Sequence, residues 1–379
     1  MVSSNGMAIC RALSSCILFL ACCWLCVHEA AAEGLVPALY VLGDSQADNG
    51  NNNHLVTLLR ADFPHNGVDY GRGNKATGRF SNGKNFVDFL AEHLNLASTP
   101  PPYMSIRNNP SNRFIYPSGV NFASGGAGVS SETNKGQCIS FDQQIDQHYS
   151  GVYKALVNQL GQNMTLARLA KSIFTVAIGG NDILNYVRGA SRLVRFLRFF
   201  RYRPSPEQFI ASLAQSLEGQ LERMYALGMR KLFVVGAAPL GCCPVLRKGT
   251  PRKECHAEAN ELSAQYNVEV AARLRDMRAR HPDMRYSFFD GSTALLDYIK
   301  EPKANGYAVV DRACCGLGKK NAMFSCTPVS SLCENRTNHI FWDFVHPTEI
   351  TAQKLMALAF DGPAPLATPM NVRQLISAT

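Results

Sequence analysis

The chain has 379 residues, 46% of them hydrophobic, and a formal net charge of +9. That length and composition can bury a full core, which excludes a disordered chain or a small scaffold held by cross-links alone. The charge favours contact with acidic surfaces, yet ordinary solubility explains it as simply, and no nucleic-acid partner is expected.

The first element is a targeting segment. Arg11 precedes the apolar run Cys16-Ile17-Leu18-Phe19-Leu20-Ala21-Cys22-Cys23-Trp24-Leu25-Cys26-Val27, and Ala30, Ala31 and Ala32 offer a small-residue cleavage site. The run is short for a bilayer span, so residues 1–32 read as a signal peptide, with a retained anchor as the rival. No low-complexity linker follows, and one domain over residues 33–379 is expected.

Short apolar runs then alternate with helical patterns. The strand-like runs are Ala38–Leu42, Val120–Ala123, Ile173–Ile178, Leu232–Val235 and Tyr286–Phe289. Strands covered on both faces read this way. Helical spacing marks Lys84–Leu94, Pro206–Leu227 before the capping Gly228, and His256–Arg280; a last helix is expected to start at Pro347. The alternation predicts an α/β fold, a three-layer α/β/α sandwich with a central parallel sheet. Residues 300–340 are loop-rich and hold four cysteines.

Five of the 13 cysteines lie in the targeting segment; the others are Cys138, Cys242, Cys243, Cys255, Cys314, Cys315, Cys326 and Cys333. An even number in an oxidising compartment suggests disulfides, with pairing unreadable from sequence. Zinc competes poorly, because none of these eight forms a Cys-x-x-Cys pair. The sequons Asn163-Met164-Thr165 and Asn335-Arg336-Thr337 fit glycosylation in the same compartment, or plain polar loops.

Three of the strand-like runs lead into chemistry. Leu42-Gly43-Asp44-Ser45 follows the first, Ser124-Gly125-Gly126-Ala127-Gly128 the second, and Gly179-Gly180-Asn181-Asp182 the third. Ligand sites in open parallel sheets form outside the carboxyl ends of strands, so these segments converge on one rim. Near the C-terminus stands Asp343-Phe344-Val345-His346. A serine needs a base to take its proton, and a carboxylate beside that base fixes its tautomer. Glycine N–H groups and an Asn amide can hold an oxyanion. Taken singly, each has a plainer reading: an N-cap serine, a loop histidine, a tight glycine turn, a capping Asn-Asp.

Five blocks together carry a family likeness. They are Val41-Leu42-Gly43-Asp44-Ser45 with Ala47-Asp48-Asn49-Gly50-Asn51-Asn52-Asn53, then Gly78-Arg79-Phe80-Ser81-Asn82-Gly83, then Asn121 to Gly128, then Gly179 to Asp182, and last Phe341 to Glu349. In this order they resemble the plant GDSL esterase/lipases of the SGNH hydrolase superfamily, from about residue 36 to 362. The resemblance implies a flavodoxin-like SGNH fold and a secreted serine esterase without cofactor or metal. It implies Ser45 as nucleophile, His346 as base and Asp343 as its partner. Oxyanion donors would be the N–H of Ser45, the Asn181 amide and a glycine of the second block; Gly128 is chosen, with Gly125 and Gly126 open. Gln46 departs from the leucine of the family name and removes no catalytic group.

The substrate would be an acyl ester, of lipid or of acetylated cell-wall polysaccharide. An acyltransferase using the same acyl-enzyme is one rival, and a non-catalytic polysaccharide-binding protein another. Other motifs fail: no Gly-x-Ser-x-Gly or His-Glu-x-x-His occurs, and Gly78 to Asn85 lacks the hydroxyl a phosphate loop needs. Arg192, Arg195, Arg198 and Arg201, interleaved with Phe196, Phe199, Phe200 and Tyr202, suit transient contact with a membrane surface or an acidic polymer, against a simpler solvated helix.

Overall fold

The computed structural model describes residues 34–378 apart from 74, 190–203 and 250–253. The proposed signal peptide and the arginines from Arg192 to Arg201 therefore lie outside the described residues.

The chain runs β1 (Leu39–Gly43), α1 (Phe86–His93), α2 (Ser150–Leu160), α3 (Gln162–Lys171), β2 (Ile173–Ala177), α4 (Gly180–Gly189), α5 (Pro206–Ala226), β3 (Lys231–Val235), α6 (Ala257–Arg280), β4 (Arg285–Phe289) and α7 (Gly291–Lys300). There follow β5 (Val309–Ala313), β6 (Cys315–Gly316), β7 (Ser331–Leu332), β8 (His339–Phe341), α8 (Glu349–Asp361), β9 (Ala367–Thr368) and α9 (Val372–Ser377). The main sheet has the order β1-β2-β3-β4-β9; its first four strands are parallel and β9 is antiparallel. Gly43, Ala177, Val235 and Phe289 end the four parallel strands in one register, so the segments after them share a rim.

Alternation along the strands builds two apolar layers. Tyr40, Leu42, Phe174, Val176, Leu232 and Val234 face one way, against residues of α2, α5 and α6. Leu39, Val41, Ile173 and Phe233 face the other, against α1, α8 and α9. Burial on both faces explains why the strands are largely apolar runs.

Two expected elements differ. Val120–Ala123 makes one parallel bridge to β1, at Val41 and Asn121, not a strand. The next rung would need the Gly43 N–H, which instead donates to Gln144 Oε1 at 2.9 Å. The helix expected at Pro347 is α8, which begins at Glu349 with Thr348 as N-cap and is not the last, since α9 follows it; Pro347 is held extended by a bridge to Phe341. Elsewhere caps set the bounds: Asn85 closes a capping box with Asp88 ahead of α1, and Ser205 one with Gln208 ahead of α5.

The loop-rich stretch is stapled. Cys314 pairs with Cys333, Cys315 with Cys326, and Cys242 with Cys255. Cys138 and Cys243 are unpaired, so the eight do not all close. Among the described residues, no helix is long and apolar enough to cross a membrane.

Candidate active site

Ser45 sits just past β1, on a turn that only glycine can enter. Gly43 has φ 144°, and a Cβ there would fall 2.2 Å from the Ala177 carbonyl oxygen. The Asp44 N–H donates to that same oxygen at 3.0 Å. Gln144 brackets the turn, accepting from the Gly43 N–H and donating to the Gly43 carbonyl at 2.8 Å. The nucleophile block is thus held by backbone on one side and a buried carboxamide on the other.

His346 Nε2 lies 2.7 Å from Ser45 Oγ. Its Nδ1 lies 2.8 and 2.7 Å from the two oxygens of Asp343. Asp343 Oδ1 also accepts the N–H groups of Val345 at 2.9 Å and His346 at 2.8 Å. One buried carboxylate therefore folds the loop and orients the ring. The Phe80 ring packs on the imidazole with centroids 4.9 Å apart, and Phe344 meets it edge-on at 6.2 Å. Below, the Trp342 N–H donates to the His346 carbonyl at 2.8 Å, and the indole N–H reaches Asn66 Oδ1 at 3.0 Å. Such a hydroxyl–imidazole–carboxylate chain can move a proton from the serine to the ring.

Asn181 lies beyond β2, at the start of α4, and lines the same cleft as Ser45 and His346. Its Nδ2 donates to the Ala127 carbonyl at 2.9 Å, which fixes the amide plane. The glycines of the second block divide. Gly126 (φ 89°) lines the cleft. Gly128 does not; a Cβ on it would meet Asp182 Oδ1 at 2.5 Å and Thr133 at 2.6 Å. Asp182 gathers that end of the loop, accepting from the N–H groups of Val129 and Ser130 and from Thr133 Oγ1. Burial pushes its carboxyl above the usual range.

Several positioning residues escaped the sequence reading of roles. Asp48 accepts the N–H groups of Gly50, Asn51 and Gly125. Asn51 donates to the carbonyls of Asn121 and Ala123, and Asn52 to those of Gly125 and Leu59. These side chains are buried and tie the nucleophile block to the glycine block. The only sequence signal was a dense Asp-Asn-Gly run directly behind the serine, which reads equally as a loop. Burial holds the Asp44 carboxyl up at about 7 and that of Asp48 at about 6.

Two cavities meet at Ser45. One is apolar, bounded by Phe86, Ile178, Leu184, Leu240, Leu295 and Met356, with Gln46 beside the serine. The other, the polar cleft, has Arg60, Asn66, Asn134, Asn185 and Arg188 around Ser45 and His346. The sequon asparagines are both exposed. Asn163 stands on α3, with Thr165 buried beneath it, and Asn335 Oδ1 accepts from the Thr337 N–H and hydroxyl at 2.9 and 2.7 Å.

Residues 39–360 match the family model described as GDSL-like Lipase/Acylhydrolase. The chain belongs to this family. Its members are carboxylic ester hydrolases, and the relatives agree. GDSL esterase/lipase At5g55050 of Arabidopsis thaliana is 38% identical over 360 residues, covering 92% of this chain and 93% of its own. GDSL esterase/lipase At1g71250 of the same plant is 36% identical, covering 90% of each. Among solved structures, phospholipase A1 from Streptomyces albidoflavus NA297 superposes with a TM-score of 0.38 at 14% identity, over 85% of this chain and 97% of that one, which is too loose to bear on function.

Proposed function

We propose that this GDSL hydrolase cleaves acyl esters through a Ser45 acyl-enzyme, with His346 as general base and Asp343 as its orienting partner. The observation that carries this reading is the 2.7 Å approach of His346 Nε2 to Ser45 Oγ, with Asp343 on the far ring nitrogen. Ser45 Oγ attacks the ester carbonyl while Nε2 takes its proton; Asp343 stabilises the imidazolium. The oxyanion is received by the N–H groups of Ser45 and Gly126 and the Asn181 amide. Gly126 replaces Gly128 in this role because it borders the cleft, whereas Gly128 packs on Asp182. Collapse expels the alcohol, which takes the proton from His346. Water then enters by the same route, and the acid leaves.

The apolar cavity suits the acyl chain of a lipid ester better than an acetyl group. The polar cleft suits the alcohol half. Residues 1–32 would direct the chain to the secretory pathway, where the three disulfides form and Asn163 and Asn335 are open to glycosylation. Residues from 33 on would act as one hydrolase domain.

The test is turnover of p-nitrophenyl esters of short and long acyl chains, and of acetylated wall polysaccharide, by the purified protein and by Ser45→Ala. Hydrolysis favouring longer chains and lost in the variant is expected. Activity surviving in Ser45→Ala would remove the serine from the mechanism, and activity on the polysaccharide alone would replace lipid esters as substrate.

A further inference from the structure

Exposed large apolar side chains are normal when scattered singly, as Phe114, Met164 and Val268 are here. Four others are not scattered. Val56 and Leu58 are 101% and 89% exposed, and Met323 and Phe324 are 55% and 60% exposed. The two pairs come from segments far apart in sequence. Both segments border the polar cleft: Leu58 lines it from the first, Ser325 and Cys326 from the second.

The first segment is built to present these residues. Along residues 54–60 exposure alternates, with His54, Val56, Leu58 and Arg60 outward and Leu55, Thr57 and Leu59 half-buried. The inner set is anchored. Leu59 covers Gly126, where a Cβ would fall 2.4 Å from its Cδ1. The Leu59 N–H donates to Thr57 Oγ1 at 3.0 Å, and Thr57 reaches Gln137. With that side pinned, the outer side chains are held in solvent, not folded back. The second segment is pinned by the Cys315–Cys326 disulfide and by the Met323 N–H on the Leu317 carbonyl at 3.0 Å. Between them the cleft carries the exposed cations Arg60, which stands 3.3 Å from Asp62, and Arg188.

We propose that this rim docks on a lipid–water interface bearing anionic headgroups. Val56, Leu58, Met323 and Phe324 enter the interfacial layer, and Arg60 and Arg188 face the phosphates. The acyl ester then passes from the lipid layer into the cleft without crossing water. The substrate class is an aggregated lipid ester, and this rests on the esterase reading above.

The test uses the full secreted chain and two variants on exposed residues: Val56→Ser with Phe324→Ser, both outside the cleft lining, and Met164→Ser with Val268→Ser as control. Vesicles of phosphatidylcholine and phosphatidylglycerol in equal parts serve as the surface, with binding read by co-sedimentation in a Ser45→Ala background. The rim variant should bind at least about tenfold more weakly, since two apolar side chains leave the layer. Hydrolysis of a vesicle-embedded ester should fall with it. Soluble p-nitrophenyl butyrate should be turned over within about twofold of the parent by both variants, as surface changes usually allow. Equal vesicle binding by parent and rim variant, equal losses in the control, or no binding by the parent would each overturn the docking surface. Failure of the esterase reading looks different: no soluble ester is hydrolysed, while vesicle binding still depends on Val56 and Phe324.

Discussion

Ser45 and His346 meet at 2.7 Å, yet different forces bring them there. Ser45 follows β1, whose five residues are all buried between two helical layers. His346 follows β8, a three-residue strand paired with β5 in a separate two-stranded sheet. The segment leading to it has a small cluster of its own, made of Cys314, Cys315, Cys326 and Trp342. The sheet holds the serine by packing. On the histidine side Ile340 and Phe341 join the same core as β1, but disulfides and one indole hold the stretch beside them, as in small secreted scaffolds. One active site can thus have a half that resists local opening and a half that depends on covalent staples.

The largest expected effect separates the halves at Asp343. Asp343→Asn leaves β1 untouched but puts an amide against the ring Nδ1 and two backbone N–H groups; kcat should fall by up to about 10⁴ with the far-UV spectrum unchanged. A loss of less than tenfold in a folded variant would take the carboxylate out of the chemistry. On the sheet side, Asn181→Ala removes one preorganised donor. A kcat loss of roughly 10²–10³ is expected from steady-state assays on a soluble ester. Unchanged turnover would assign Asn181 to holding the Ala127 carbonyl only.

The staples give the next step down. Cys314→Ser with Cys333→Ser should cost about 2–4 kcal/mol. That loss should be local. Activity should vanish at a lower denaturant concentration than the helical signal, whereas the two coincide in the parent. Coincident loss in the variant would mean that the halves unfold together and that the staples support the whole molecule.

The last effect is a pH slope on the packed side. Burial holds the Asp44 carboxyl at about 7, against about 4 in an unfolded chain. The folded state keeps the proton longer, so stability is full below about pH 4 and declines as pH rises through about 7. Asp44→Asn keeps the oxygen that accepts the Gln46 N–H and should flatten this decline in Tm measured from acid to neutral pH. A slope as steep as the parent's would shift the effect to Asp48, whose carboxyl titrates at about 6 for the same reason.

What was legible in the sequence was local. β1 to β4 read as strands because each is largely apolar on both faces, and the serine, histidine and aspartate stood out through the order of their motifs, each of which alone has a plainer reading. What was not legible depends on partners remote in sequence. Val120–Ala123 stops at one bridge because Gln144 takes the Gly43 N–H from 101 positions away. Pro347 looked like a first helical turn, but its pairing with Phe341 leaves Thr348 to cap the helix. Gly126 and Gly128 are indistinguishable as letters; only the packing of Asp182 against one and the cleft beside the other tells them apart. Disulfide pairing and the reach of Asp48 to Gly125 are likewise decided by the fold.

The 301 positions between Ser45 and His346 also impose a schedule. A ribosome adding about 5–20 residues per second delivers the serine roughly 15–60 s before the histidine. Through that interval the growing chain carries a hydroxyl with no base beside it, and it stays chemically idle until the last strands and their cross-links are made. An ester-cleaving activity that awaits its own C-terminus cannot act while the chain is still being made.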